Sequence, residues 1–351
     1  MQTLTHLTDS TAAKAQLFDM MLAFVKSQCL YTAARLGIFD LLQEGEQSLE
    51  TIAQTTQTDP ERLYFVLRAL AHVNVLQEKP GRVFAPTALS DLMVINQGAS
   101  IEHLVMHLLE PAQWDAWKAL EDALHTGEVP FERANGTGVY DYCRDNDWSG
   151  DTFVKAMSFF TAHSVDALLD AFDFSRFDTV MDVGGGQGGL IAHIVKRSGC
   201  KGMLFEVPYV AATAPAYLAQ QGLDPAAIDI RVGDVFEEVP SGADAIVMKY
   251  FISAWNDEDA KKILYNCRQA LPAYGRVILL QAFVPDLDEP KTAPDGIMPG
   301  LFAVQINVAV PGGGWRTKKQ FQTLFEQCGF QLEQVVDTTT NLSAMEFSLA
   351  S

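Results

Sequence analysis

The chain contains 351 residues, of which 48% are hydrophobic, and it carries a formal net charge of −19 at pH 7. This length suggests two domains or one large domain, and the composition is that of a globular protein with a full core. Nucleic acid is not an expected partner, because phosphate binding requires a basic surface. No run of about 18 apolar residues is present, so the sequence predicts no membrane-spanning helix.

The cysteines and the N-terminus indicate a cytoplasmic protein. The five cysteines are widely spaced and form no close pair, which favours free thiols over disulfides. The N-terminus lacks the basic-then-apolar order of a signal peptide. No cluster of His, Asp or Glu has metal-ligand spacing, so we expect no metal site.

Residues 1–100 predict a helical domain with a small wing. The first 15 residues are polar and are expected to be frayed. Asp59 suits the N-cap of a helix, and Pro60 suits its first position. The apolar spacing predicts helical segments at Gln16–Leu42 and Asp59–Val73. Val75–Gln77 and Val83–Ala85 are predicted to pair as a hairpin.

This winged-helix layout has two functional interpretations, DNA binding and subunit assembly. The helix that starts after Asp59 carries few basic residues, Arg62 and Arg68 among them, and the whole chain is acidic. The sequence therefore favours an assembly domain over a DNA-binding one.

Residues 101–172 predict a helical linker that roofs a substrate pocket. This segment is rich in aromatic residues, which are usually core but also line sites for flat ligands. We assign Phe160 to the pocket. Residues 127–138 are expected to form a loop that contains Pro130.

Residues 173–351 alternate between strand-like and helical patterns, which predicts a Rossmann-like α/β domain with a mostly parallel sheet covered on both faces. The last two strands have no helix between them, so one is expected to run antiparallel at the edge. The predicted strands are 180–183, 202–206, 228–232, 245–249, 276–281, 331–336 and 344–349. The predicted helices are 190–197, 211–221, 257–270 and 318–328.

A glycine-rich turn, at residues 184–189, follows the first of these strands. Glycine allows a sharp bend and a close approach to a ligand, and the next helix directs free N–H groups at that ligand. Because Gly184, Gly186 and Gly189 also satisfy dinucleotide spacing, a nicotinamide or flavin site stays open on the turn alone.

Acidic residues at the strand ends favour one cofactor. Asp182 precedes the glycines and would repel a pyrophosphate, but it suits the cationic amino-acid end of S-adenosylmethionine. Glu206 ends the second strand, where an acid binds ribose hydroxyls. Asp234 follows the third strand, and together with Phe236 it suits an adenine ring.

The chain resembles the S-adenosylmethionine-dependent small-molecule O-methyltransferases of the plant caffeate and bacterial polyketide-tailoring type. The resemblance covers nearly the whole chain and is carried by segments 30–38, 153–158, 182–186, 205–208, 233–236, 248–250, 255–259 and 313–317. It implies a class I methyltransferase sheet and an N-terminal domain that forms an intertwined homodimer. It also implies a small-molecule substrate near Met157, and cofactor contacts from Ser158, Gly184, Glu206, Asp234, Val235 and Lys249.

The sequence departs from the family pattern where the family has its catalytic base. Ser253 stands at the position of the usual His, and Ala254 at that of the adjacent Asp. Two supporting glutamates correspond to Gln281 and Trp315. With Gln305 and Asn307 nearby in sequence, these residues predict a neutral, hydrogen-bonding substrate pocket.

Three interpretations follow from this loss. A serine hydroxyl is not deprotonated near neutral pH without a base, whereas methyl transfer mainly requires alignment, so an N-, C- or easily ionised O-acceptor needs no base. The first interpretation is such a methyltransferase, the second a relative with non-methylating chemistry, and the third a catalytically silent binding protein. His163 is the best candidate for a replacement base, ahead of His103 and His107.

Overall fold

The computed structural model describes residues 2–94, 100–286, 293–294, 296 and 298–350. The chain divides into two compact units, residues 1–111 and 112–351. The division into segments 1–100, 101–172 and 173–351 stays a prediction. None of the helices in the described ranges is both long and apolar enough to cross a bilayer.

The first unit is a helical bundle with a three-stranded antiparallel wing in the order β1-β3-β2. Asp59 caps α4 as predicted, since its carboxylate accepts the Arg62 N–H at 2.9 Å. The expectation of a frayed segment before Gln16 was wrong, because α1 starts at Gln2. The elements are α1 (Gln2–Arg35), α2 (Ile38–Leu42), β1 (Gln47–Ser48), α3 (Leu49–Thr56), α4 (Pro60–His72), β2 (Gln77–Lys79), β3 (Val83–Ala85), α5 (Ala88–Asp91) and α6 (Ile101–Leu108).

The second unit starts with a helical segment that leads into an α/β domain. The helical segment comprises α7 (Pro111–Lys118), α8 (Leu120–Thr126), α9 (Pro130–Asn135), α10 (Val139–Asp145) and α11 (Asp147–Ala171). The segment 127–138, predicted to be a loop, contains α9, because Pro130 stands at a first helical position. This proline therefore starts a helix instead of marking a loop.

The α/β domain confirms the predicted strands to within one residue at each end. Its strands are β4 (Thr179–Val183), β5 (Lys201–Glu206), β6 (Ile228–Val232), β7 (Ala245–Lys249), β8 (Arg276–Gln281), β9 (Phe330–Asp337) and β10 (Ser343–Leu349). Its helices are α12 (Gly189–Ser198), α13 (Pro208–Ala211), α14 (Ala214–Gln220), α15 (Asp257–Ala270), α16 (Pro299–Ala309) and α17 (Lys318–Gln327). The helix predicted at 211–221 is split in two, and α16 was not predicted.

The seven strands form one sheet in the order β6-β5-β4-β7-β8-β10-β9. The pairs from β6 to β8 are parallel, and β10 is antiparallel to both β8 and β9. The expectation of one antiparallel strand was confirmed, but its predicted position at the edge was wrong. The antiparallel strand is β10, and β9 forms the edge of the sheet. Buried apolar clusters cover the sheet on both faces, as expected for a Rossmann-like sheet.

Candidate functional site

The glycine-rich turn leaves β4 at its carboxyl end, where the strand order switches between β5 and β7. Gly184 has a φ of 67°, and a Cβ there would lie 2.3 Å from the Phe251 ring. A Cβ at Gly185 would lie 2.5 Å from the carboxyl group of Asp182. At Gly186 a Cβ would meet nothing within 4 Å, so this glycine borders open space. The turn is thus packed on one side and open on the other.

Glu206, the last residue of β5, ties the turn to the neighbouring strand. Its carboxylate accepts the backbone N–H of Gly186 at 2.9 Å and that of Val207 at 2.8 Å. Burial raises the pKa of Glu206, and these two N–H groups oppose the rise. A carboxylate has about four acceptor positions, so Glu206 retains capacity for further hydroxyl donors.

Asp182, which is buried, and Lys249, which is half-buried, are the ionisable groups behind the turn. Asp182 is 1% exposed, and neither carboxyl oxygen has a hydrogen-bond partner among the described residues. Burial raises the pKa of Asp182 to about 7. The positive charge of Lys249 and the nearby Ile191 amide oppose this rise, although the amide does not meet hydrogen-bond geometry. Burial lowers the pKa of Lys249 to about 8, against the effect of Asp182. An unsatisfied buried carboxyl is costly, which marks this position as one that suits a polar ligand.

The loop after β6 brings Asp234, Val235 and Phe236 to the same end of the sheet. Asp234 is exposed, and its carboxylate accepts the Phe236 N–H at 2.8 Å. Val235 is buried, and the Phe236 ring packs edge-on against Trp255 with ring centres 4.8 Å apart. The loop is therefore ordered by its own contacts, and a role in adenine binding stays a prediction.

Four aromatic side chains, Phe160, Tyr250, Phe302 and Trp315, form a closed group that we call the aromatic cluster. Trp315 stacks on Phe302 at 5.6 Å and 6°, and on Tyr250 at 5.8 Å and 17°. Phe160 completes the circuit, with ring centres 5.9 Å from Tyr250 and 5.8 Å from Phe302. The cluster thus combines residues from α11, α16, the end of β7 and the loop before α17.

Tyr250 adopts a strained backbone conformation within this cluster. Its φ is 53°, in the left-handed region. For a residue other than glycine this conformation costs on the order of 1–3 kcal/mol, and such strain concentrates at binding sites. The conformation sends the Tyr250 ring to Trp315, while the next residue, Phe251, packs against Gly184.

Ser253 and Gln281 lie at the carboxyl ends of adjacent strands, beside the aromatic cluster. Ser253 is 2% exposed, and its hydroxyl donates to the Tyr250 carbonyl at 3.3 Å. The Ser253 carbonyl accepts the Gly314 N–H at 3.2 Å, next to Trp315. Gln281 is fully buried and donates from Nε2 to the Ala282 carbonyl at 3.1 Å. Its Oε1 has no hydrogen-bond partner within the described part of the chain and is available as an acceptor.

Helix α11 places its predicted site residues on different sides. Ser158 donates to the Val154 carbonyl at 3.1 Å. Burial raises the pKa of Tyr217, and the interaction with Ser158 opposes this rise. Met157 is half-buried beside it. His163 is exposed and stacks on Phe159 at 5.8 Å, so it does not join Phe160 in the aromatic cluster. This placement gives no support to His163 as the replacement base.

The two amides that were predicted to contact substrate, Gln305 and Asn307, lie on α16 and hydrogen-bond to other groups of the protein. Gln305 accepts the Trp117 indole N–H at 2.9 Å and donates to Gln113 at 3.0 Å. Asn307 is exposed and donates to the Gly313 carbonyl at 3.1 Å. Substrate contact by either amide stays a prediction.

The other candidate bases belong to the first unit. His103 and His107 are buried on α6, and His107 Nδ1 lies 3.5 Å from a carboxylate oxygen of Glu110. Among the described residues, no group of three or more His, Cys, Asp or Glu has the arrangement of a metal site.

Sequence reasoning missed Tyr250 and Phe302 as site residues. Tyr250 directly follows the Lys249 strand end, and that position was the available signal. Phe302 lies on α16, whose mainly apolar residues are spread around the helix, so the segment lacks the one-sided periodicity that identifies a surface helix. Pro299 at the first turn was the remaining signal for this helix.

Comparison with known proteins gives consistent results over the whole chain. A family model described as an O-methyltransferase domain matches residues 117–331, and one described as an O-methyltransferase dimerisation domain matches residues 18–96. The phenazine O-methyltransferase PhzM of Lysobacter antibioticus is 32% identical, with 94% of each chain covered. The 8-amino-8-demethylriboflavin N,N-dimethyltransferase of Streptomyces davaonensis is 31% identical, covering 90% of this chain and 88% of the relative. The structure of the mitomycin 7-O-methyltransferase MmcR superposes with a TM-score of 0.89 at 28% identity, covering 98% of this chain and all of that one.

Proposed function

Since this chain belongs to the O-methyltransferase family, whose cofactor is S-adenosylmethionine, we propose that it methylates a small aromatic metabolite without a protein general base. The acceptor is a nitrogen, a nucleophilic carbon or an easily ionised oxygen. The observation that carries this proposal is Ser253, a buried hydroxyl bonded to a backbone carbonyl at the position where the family resemblance places the base.

The residues around the glycine-rich turn fit the cofactor. The unsatisfied carboxyl of Asp182 and the acceptor capacity of Glu206 suit a ligand with an ammonium group and ribose hydroxyls. The open space beside Gly186 leaves room for the ligand at the turn. In this proposal Glu206 holds the ribose, Asp234, Val235 and Phe236 the adenine, and Ser158, Asp182 and Lys249 the amino-acid end.

The cofactor supplies an electrophilic methyl group on a sulfonium. The chain supplies alignment and exclusion of water, which are the main requirements of methyl transfer to a nucleophile that is already deprotonated. Ser253 and the free Gln281 oxygen orient the acceptor by hydrogen bonds, and the aromatic cluster packs against its ring. General-base help, which is typically worth about 10²–10⁴-fold, is not needed for such an acceptor.

The comparisons favour methyl transfer over the two alternatives, because the relatives with printed activities include both O- and N-methyltransferases. The N,N-dimethyltransferase among them supports a nitrogen acceptor for a chain of this family.

We also propose that the protein acts as a homodimer through its first unit. The dimerisation-domain match covers this unit. Helix α1 exposes large apolar side chains, including Leu17, Phe18, Met20, Met21 and Phe24, each more than half exposed. An exposed apolar face of this size typically marks a protein interface.

The proposal is tested by incubating the protein with methyl-labelled S-adenosylmethionine and a set of matched aromatic amines, aza-arenes and phenols. We expect S-adenosylhomocysteine and labelled product with an amine, an aza-arene or an acidic phenol, and little with a phenol of pKa near 10. Product without cofactor consumption contradicts methyl transfer. No uptake of S-adenosylhomocysteine in equilibrium dialysis contradicts the cofactor assignment as well.

A further inference from the structure

The aromatic cluster is suited to one kind of charge change in the reaction. When an unprotonated ring nitrogen is the acceptor, its lone pair forms the new N–C bond while the methyl–sulfur bond breaks and its electron pair stays on sulfur. The positive charge passes from the methyl donor to the acceptor, and no proton is released. The product is therefore an aromatic cation, which needs a stabilising environment and no base.

Aromatic faces provide such an environment, because their negative π surfaces attract cations. The rings of Phe160 and Phe302 are partly exposed, and the nearly buried Trp315 stacks behind Phe302 in a nearly parallel plane. Because the Phe160 and Phe302 rings meet at 81°, a planar guest that stacks on Phe302 meets Phe160 at a steep angle. Cation–π attraction strengthens as the bound guest loses water. Gln281 Oε1 adds a neutral acceptor dipole at the adjacent strand end.

We propose that the aromatic cluster sets acceptor specificity by favouring a neutral, planar aza-aromatic nitrogen whose methylated product is a cation. This inference rests on the proposed function and names its substrate class. It assigns Phe302 and Trp315 the specificity role, since Phe302 offers a partly exposed face and Trp315 backs it in a nearly parallel plane.

Two further charges bear on this assignment. The Lys249 ammonium lies 4.8 Å from the centre of the Tyr250 ring, so Tyr250 already interacts with a cation, and the guest's cation–π contacts fall to the other rings. The buried carboxyl of Asp182 interacts with Lys249 and offsets its charge. The whole chain carries a net charge of −19, which favours cationic over anionic ligands at long range.

The test compares two probes of the same shape, the cation N-methylquinolinium and its neutral carbon isostere 1-methylnaphthalene. Each is titrated into the full-length protein saturated with S-adenosylhomocysteine, and binding is followed by calorimetry. Removal of the contacting ring by Phe302→Leu is expected to shift the ratio of the two dissociation constants about 5- to 30-fold against the cation. Trp315→Leu should shift the ratio in the same direction by less, because Trp315 stacks behind Phe302. Tyr265→Leu, which removes a ring that is 56% exposed on α15, should leave the ratio unchanged.

The affinity of each ring-removal variant for S-adenosylhomocysteine shows whether that variant is folded. A variant that binds S-adenosylhomocysteine like the wild type is folded at its cofactor site. An unchanged probe ratio in both folded variants overturns the inference, and so does a wild type that binds S-adenosylhomocysteine but neither probe. Failure of the wild type to bind S-adenosylhomocysteine instead contradicts the proposed function itself.

Discussion

The variant Glu206→Gln tests the cofactor assignment most directly. The Glu206 carboxylate accepts two backbone N–H groups, from Gly186 and Val207, and we assign its remaining capacity to ribose hydroxyls. The glutamine keeps one oxygen but turns an NH₂ group toward a backbone donor. Hydrogen bonds to a charged group contribute about 1.5–3 kcal/mol each, so we expect the affinity for S-adenosylhomocysteine to fall about 10- to 150-fold.

The measurement is isothermal titration calorimetry with S-adenosylhomocysteine, accompanied by urea unfolding of each protein. Glu121→Gln on α8 is the matched control, since it makes the same chemical change at an exposed position and should leave the affinity unchanged. Unfolding reports separately on the loss of the turn contacts, which should also cost on the order of 1.5–3 kcal/mol. An affinity within twofold of the wild type in a folded variant would refute the reasoning, because Glu206 would then only hold the turn.

Three further outcomes are expected. Gly184→Ala should destabilise the fold by about 1–3 kcal/mol more than Gly136→Ala in urea unfolding. Both glycines have positive φ, but only at Gly184 does the Phe251 ring occupy the space that a Cβ would need. Equal losses would contradict this close approach. Asp182 should contribute a decline in the free energy of unfolding as pH rises from 4.5 to 6.5, because burial raises its pKa to about 7 from 3.8 and the folded state retains a proton that the unfolded chain releases. In Asp182→Asn this decline should be shallower by up to about 1.4 kcal/mol per pH unit, and identical slopes would refute the raised pKa. Ser253→His should raise methylation of an ordinary phenol by about 10²-fold or more whereas Ser253→Ala should not, and no gain would indicate a remodelled pocket.

Several features of the fold could be predicted from the sequence because they depend on interactions between residues close together in the chain. Val180–Val183 is a short apolar run that ends in glycines, and the structure forms a strand and a turn at that point. Asp59 was recognisable as an N-cap because its carboxylate bonds to an N–H only three residues away. Glu206 was predicted at the carboxyl end of its strand, which the structure confirms, whereas its ribose contact stays a prediction. The hydrogen bond from the Gly186 N–H to the Glu206 carboxylate was not predicted.

Other features depend on contacts between distant segments. The aromatic cluster joins Phe160 to Phe302 and Trp315, which lie more than 140 residues further along the chain in a segment whose helix was not predicted. The exposed position of His163 follows from which side of α11 packs inward, and that packing overrides its sequence proximity to Phe160. Neither arrangement has a local signal.

The sequence by itself determined the seven strands of the sheet and the glycine-rich turn, because each depends on residue type and short-range spacing. Only the tertiary structure decided that β10 lies inside β9, that Asp182 is buried without a hydrogen-bond partner, and that four aromatic rings close around the end of β7. These arrangements depend on burial and ring packing between segments far apart in the chain, which no local pattern encodes.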